Sequence, residues 1–236
     1  QELANPIASL YTLPIQMNFD DGLGLGGNGS LYQLNLQPLI PFELNEDWHL
    51  ISRTIIPLMH QEDVTGPGRE ESGMGDILES LFLSPSETPD HGWIWGVGPA
   101  ISLPTGTEDV FGGDRWALGP TAVALKQQGP WTVGVLVNHL WSLGDNADAY
   151  NGTYIEPWVS YILPSETTTI SFSAETIYDW NTDQAAIPLN FIVDHLITIG
   201  DQNLQIGATA KYWLDSPDGG PDGWGLRLQC TFFWPK

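Results

Sequence analysis

No apolar run in the chain approaches the roughly 18 residues that a membrane-spanning helix requires, so any crossing of a bilayer would have to be made by strands. Positive charge is scarce as well. Seven Lys and Arg stand against 29 Asp and Glu, a formal net charge of −22. Such a balance excludes nucleic acid and a polybasic membrane patch as partners, and leaves a cationic ligand, a divalent ion or plain solubility as uses for the acid. The single cysteine, Cys230, excludes an internal disulfide and reads as a small hydrophobe on the apolar face of its strand. No secretory leader is visible, and Gln1 reads as a mature N-terminus from which one was removed.

Turn formers and aromatics are plentiful: 26 Gly, 18 Pro and 11 Trp in 236 residues, without a linker, describe one turn-rich β domain. The last strand, Gly223–Trp234, shows the pattern best. Trp224, Leu226, Leu228, Cys230, Phe232 and Trp234 fall on one face, and Gly225, Arg227, Gln229 and Thr231 on the other. Aromatics at both ends of the apolar face suit a strand that closes a transmembrane barrel by pairing with the first. Further strand-like segments occupy residues 10–19, 31–41, 48–58, 74–83, 93–103, 116–125, 131–142, 154–163, 169–180, 187–197 and 204–213. In 93–103 the face opposite Trp93 and Trp95 carries Gly96, Gly98 and Ala100, small residues that leave room inside a barrel.

Short turns and long acidic connectors alternate strictly along the chain, so the two kinds fall on opposite sides. Bacterial outer-membrane barrels sort their periplasmic turns and extracellular loops in this way, and a soluble sandwich has no reason to. Tryptophans mark both levels. Trp48, Trp93, Trp131 and Trp234 lie beside short turns, and Trp116, Trp141, Trp180, Trp213 and Trp224 beside long connectors. The expected fold is all-β, a transmembrane antiparallel up-and-down β-barrel of about 12 strands over residues 10–236. Residues 1–9 would either hang in the periplasm or fold into the lumen as a plug.

Several short stretches stand out beside the strand pattern. They are Asn5-Pro-Ile-Ala-Ser-Leu-Tyr-Thr-Leu-Pro14, Gln37-Pro-Leu-Ile-Pro41 with 48–57, Gly73-Met-Gly-Asp76 through Pro85, and Gly98-Pro-Ala-Ile-Ser-Leu-Pro-Thr-Gly106. With Gly119-Pro-Thr121, Gly129-Pro-Trp131 and Phe232-Phe-Trp-Pro-Lys236 they span nearly the full length, and together they resemble a bacterial outer-membrane transporter family labelled MetA-pathway of phenol degradation. It implies a bacterial outer-membrane location and uptake of small, aromatic or hydrophobic organic molecules. It carries no catalytic residues to transfer.

Read outward from the alternation, the lumen holds Gln33, Asn35, Gln37 and Arg53 from the first third of the chain, with Gln16 and Asn18 beside them. Glu156, Glu175, Asp179, Asn190, Asp194, Lys211, Arg227 and Gln229 come from the last third. Such charges form either a constriction that selects solutes or an ion-pair network that fills the barrel. The first reading makes the protein a passive pore for small molecules, and the second a non-conducting structural or partner-binding barrel. Asp215, Asp218 and Asp222, spaced among glycines, could ligate Ca²⁺ in an external loop, although Asp/Gly/Pro clusters are also ordinary turn chemistry. Other expected partners are the lipid bilayer and lipopolysaccharide, reached through divalent bridging. Asn138-His139-Leu-Trp-Ser142 is the string nearest to a lipid-hydrolase site, but His139 and Ser142 fall on opposite faces, so an enzyme is not expected.

Overall fold

The computed structural model describes residues 10–87, 92–113, 115–144, 150–200 and 202–234. The N-terminal segment 1–9, read above as a tail or plug, lies outside the described residues.

Twelve antiparallel strands form one closed sheet. They are β1 (Tyr11–Leu23), β2 (Gly29–Leu36, resuming as Leu39–Glu43), β3 (Trp48–Glu62) and β4 (Glu70–Met74, resuming as Ile77–Pro85). β5 (Trp93–Leu103), β6 (Ala117–Gln128), β7 (Trp131–Ser142) and β8 (Asn151–Ile162) follow. β9 (Thr168–Ala174, resuming as Thr176–Asp179), β10 (Gln184–Ile199), β11 (Gln202–Asp215) and β12 (Gly223–Trp234) complete the wall. Each strand pairs with its sequence neighbours. The circle is sealed between β1 and β12, from Tyr11 opposite Trp234 to Asp20 opposite Gly225. Closure leaves no unpaired edge, which a bilayer demands of a sheet.

Several strands run further into the long connectors than the hydrophobic pattern predicts. Gln61 and Glu62 pair with Glu71 and Glu70, so much of the connector 61–73 is a polar continuation of the β3–β4 ladder. Hydrophobic alternation ends where lipid ends, whereas backbone pairing does not.

Aromatic girdles stand at both ends of the wall. On the short-turn side Trp48 meets Trp95 (ring centroids 6.0 Å apart) and Trp131 meets Tyr161 (4.7 Å). On the other side Tyr178 packs on Trp180 (4.8 Å) and Tyr212 on Trp224 (5.0 Å). Trp213, expected in the second girdle, points inward instead and donates from Nε1 to Asp20 at 2.9 Å. It shares the face of Lys211, and β11 keeps its alternation to the end.

The lumen is divided between two chemistries. Lumen-facing positions of β2 to β7 pack an apolar cluster of Leu39, Ile51, Phe82, Val123, Leu125 and Leu136, and Trp158 of β8 lies against it. Ala100, Ala117 and Leu140 form a second cluster beside it, with Leu78 against them. The glycines here do not leave the room expected of them. Gly98 takes the close approach of the Leu81 carbonyl oxygen, and Gly119 that of the His139 carbonyl oxygen; a Cβ at either position would overlap it. The ladder skips at both places, passing from Ser80–Ala100 to Leu83–Val97 and from Leu118–Trp141 to Thr121–Asn138. Gly-Pro steps thus form bends that bring β4 to β7 close together, and side chains fill that half of the barrel. Polar side chains line the remaining half.

Candidate functional site: the charged lumen

Arg227 of β12 and Lys211 of β11 are the centre of the polar half. They lie on the same face of adjacent strands, and both are buried. The Arg227 guanidinium donates from Nη1 and Nη2 to the two carboxylate oxygens of Glu175 at 2.6 and 2.7 Å. From Nε it donates to Asn18 Oδ1 at 2.6 Å. Lys211 Nζ donates to Asp20 Oδ2 at 2.9 Å and to the same Asn18 oxygen at 3.4 Å. The ammonium also lies 5.3 Å from the centre of the Trp213 ring. Two charge pairs, joined through Asn18, therefore tie β9, β11, β12 and β1 together. Burial of four ionised groups at this level is tolerable because each is paired and hydrogen-bonded.

Across the cavity, Arg53 of β3 donates from Nη2 to Gln37 Oε1 at 3.1 Å, and Gln37 Nε2 donates to Gln16 Oε1 at 2.8 Å. Glu156 of β8 accepts the Tyr154 hydroxyl at 2.8 Å. Nearer the short-turn side, Gln229 Nε2 donates to Asp194 Oδ1 at 2.5 Å. Gln33 Nε2 donates to its strand neighbour Asn35 Oδ1 at 2.8 Å. Asn190 Nδ2 donates to Ser173 Oγ at 3.3 Å.

A cavity of about 310 Å³ lies beside this network. Arg53, Gln37, Glu156, Asp194 and Gln229 line it, and Glu166 and Thr167 of the β8–β9 turn bring it to the short-turn end. The void is polar on one side and is closed on the other by Leu39, Leu136 and Trp158.

Other expected positions take different roles. Asp179 ends β9, where its Oδ1 accepts the backbone N–H groups of Asn181 at 2.8 Å and Thr182 at 3.4 Å. It caps a turn whose first donors have lost their ladder partners and does not line the cavity. Asp215 likewise accepts the N–H of Ser216 at 3.0 Å. Among the described residues no three His, Cys, Asp or Glu side chains gather as a metal site, so Asp215, Asp218 and Asp222 do not converge. Turn formation separates carboxylates that only look grouped in the sequence.

His139 turns its Nδ1 to Thr153 Oγ1 at 2.7 Å, and Ser142 Oγ donates to the Tyr150 carbonyl at 3.4 Å. The string around His139 therefore forms no nucleophile–base pair. A Ser–His–Glu chain does exist on the outer face, with His60 between Ser72 (2.7 Å) and Glu62 (3.1 Å). It is a cross-strand surface chain and does not line the lumen cavity.

Asp20 was missed because it stands at the start of a Gly-rich connector, although it continues the Gln16–Asn18 face by period two. Glu79 is the other omission. It lies on the outer face of β4 between Ile77 and Leu81, and accepts the hydroxyls of Ser52 and Thr54, each at 2.6 Å. Its signal was a polar break in an otherwise apolar alternation.

A closed twelve-stranded wall with two aromatic girdles and a polar lumen defines the class: an outer-membrane β-barrel. Residues 39–156 match the family described as "Putative MetA-pathway of phenol degradation", and the chain belongs to that family. Among solved structures, the COG4313 outer membrane channel from Pseudomonas putida F1 matches with a TM-score of 0.72 at 15% identity, covering 96% of each chain. The NanC porin matches at 0.56 and 11% identity, over 93% of this chain and 98% of that one. The outer membrane phospholipase dimer of Salmonella typhi matches at 0.51 and 14%, over 98% and 96%. At these identities the likeness concerns the fold. No curated protein sequence matches the chain.

Proposed function

We propose that this protein is a passive pore of the bacterial outer membrane for small molecules, without a chemical step of its own. The observation that carries the reading is the cavity of about 310 Å³ inside the wall, whose lining includes Arg53, Glu156 and Asp194. Size limitation comes from the apolar half of the lumen. Charge discrimination comes from Arg53, Glu156 and Asp194 on the cavity wall, with the acidic connectors concentrating cations at the long-loop mouth. The family relationship supports small organic solutes as the cargo.

Swelling of proteoliposomes in a graded series of sugars and small organic solutes tests the reading. Swelling should be fast for the smallest solutes and fall steeply with size. Absence of swelling for every solute would leave the ion-pair network as a brace of a non-conducting barrel.

A further inference from the structure

Of the lumen cations Arg53, Lys211 and Arg227, the last two are paired directly, Arg227 with Glu175 at 2.6 Å and Lys211 with Asp20 at 2.9 Å. Arg53 is not. It forms no ion pair among the described residues, and its side chain donates there only to the neutral Gln37, at 3.1 Å.

Two carboxylates on the same cavity wall are held by neutral groups as well. Glu156 accepts the Tyr154 hydroxyl on Oε2, and Asp194 accepts the Gln229 amide on Oδ1. Glu156 Oε1 and Asp194 Oδ2 are left without a partner among the described residues. A half-buried guanidinium and a half-buried carboxylate that border one void and stay apart bear part of the cost of desolvation without the gain of pairing.

The ladders set these charges beside one apolar surface. Arg53 stands opposite Leu39 in the β2–β3 ladder, and Glu156 opposite Leu136 in the β7–β8 ladder. Leu39 and Leu136 belong to the same buried cluster, Trp158 packs on it, and all three line the cavity.

We infer that the cavity is a binding site for a small zwitterion with an apolar body, of which an α-amino acid with an aromatic side chain is the simplest form. The ligand carboxylate takes the unused N–H groups of Arg53, whose planar fork suits it. The ligand ammonium donates to Glu156 Oε1, and Asp194 adds a second carboxylate to the same wall. The apolar body lies on Leu39, Leu136 and Trp158. A void of about 310 Å³ stands at the lower end of the roughly 300–1,000 Å³ of small-molecule pockets, which limits the ligand to this size. A relative with a single charge leaves either Arg53 or Glu156 bare, and that loss is the source of selection. The inference deepens the pore reading by naming a substrate class, and it rests on that reading for passage of the solute.

Calorimetric titration of the whole protein in nanodiscs with L-phenylalanine, 3-phenylpropanoate and 2-phenylethylamine tests it. L-phenylalanine should bind saturably, and each singly charged analogue about tenfold more weakly or worse. Arg53→Gln should remove the preference for L-phenylalanine over 2-phenylethylamine, and Glu156→Gln the preference over 3-phenylpropanoate. Asp218→Asn, in an external turn, should change neither. No saturable binding of L-phenylalanine, equal binding of either analogue to the wild type, or preferences unchanged in both cavity variants would overturn the inference. The comparison of the three probes on the wild type stands even where a variant fails to fold. Binding needs no ion flow. Swelling without selective binding would therefore defeat this inference and leave the pore, whereas selective binding without swelling would uphold the site and defeat the pore.

Discussion

Arg227 holds Glu175 with two parallel bonds of 2.6 and 2.7 Å, although one residue belongs to the closing strand and the other to the interruption of β9. The pair therefore reaches across β10 and β11 to the point where β9 is interrupted. A bidentate guanidinium suits this task because it fixes both carboxylate oxygens at once.

Arg227→Ala should destabilise the barrel by about 3–5 kcal/mol, because it leaves the Glu175 carboxylate without its partner. Arg227→Lys, which keeps the charge and loses the fork, should fall between the two. Urea unfolding followed by the gel shift between folded and unfolded barrel measures both. Equal stability of all three proteins would mean that water replaces the guanidinium at no cost.

The close approaches at Gly98 and Gly119 make an independent claim. Gly98→Ala and Gly119→Ala should each lower the folded yield sharply, since the added Cβ meets backbone carbonyls that flexible side chains cannot relieve. Gly129→Ala, in a turn with nothing within 4 Å of the added atom, controls for the loss of glycine, allowing for the strain of its φ of +57°. A refolded fraction matching the wild type at position 98 would contradict the bend.

Glu79 lies deep on the outer wall. Thr54 is six residues above Trp48 on β3, a rise of about 15 Å at the usual strand tilt, within an apolar band about 25 Å tall. Its carboxylate depends on Ser52 and Thr54. Ser52→Ala should cost about 1–3 kcal/mol, while Glu79→Leu, which removes the polar group altogether, should be neutral or stabilising. The opposite order in urea midpoints would show that Glu79 has another partner in the membrane.

Beyond the girdle, on the β3–β4 extension, the Thr65 hydroxyl holds the Glu71 carboxyl below its usual range, helped by Gln61 and Arg69 and opposed by slight desolvation. A carboxyl pKa lowered by folding stabilises above its unfolded value of 4.5, and that stabilisation is lost as pH falls through the lowered value. Thr65→Ala should return the Glu71 titration toward 4.5 and make the extension fray at higher pH, as read by carboxyl NMR and amide exchange. An unchanged titration would remove Thr65 as the cause.

The barrel was legible because β12 and its neighbours alternate cleanly, so Arg227, Lys211, Asp194 and Glu175 could be set on the inner face from period alone. The apolar half of the lumen was not. On β3, Ile51 and Ile55 point inward while Leu50 and Ile56 point outward, and an apolar residue on both faces carries no sign of which is the core. Asp20 was hidden for a related reason: the β1 ladder continues into a connector whose composition reads as loop. Trp213 was set in the girdle by its residue type and strand-end position, although period two puts it on the face of Lys211.

The central claim is that the charged lumen conducts and that the acidic mouth governs what enters. Single-channel recording in planar bilayers under a KCl gradient tests both parts at once. Discrete conductance steps are expected, with a reversal potential on the cation-selective side and a weakening of that selectivity at high salt as the loop charges are screened. No steps at any salt concentration would contradict the pore, and anion selectivity would show that Arg53, Lys211 and Arg227 control the path instead of the carboxylates around them.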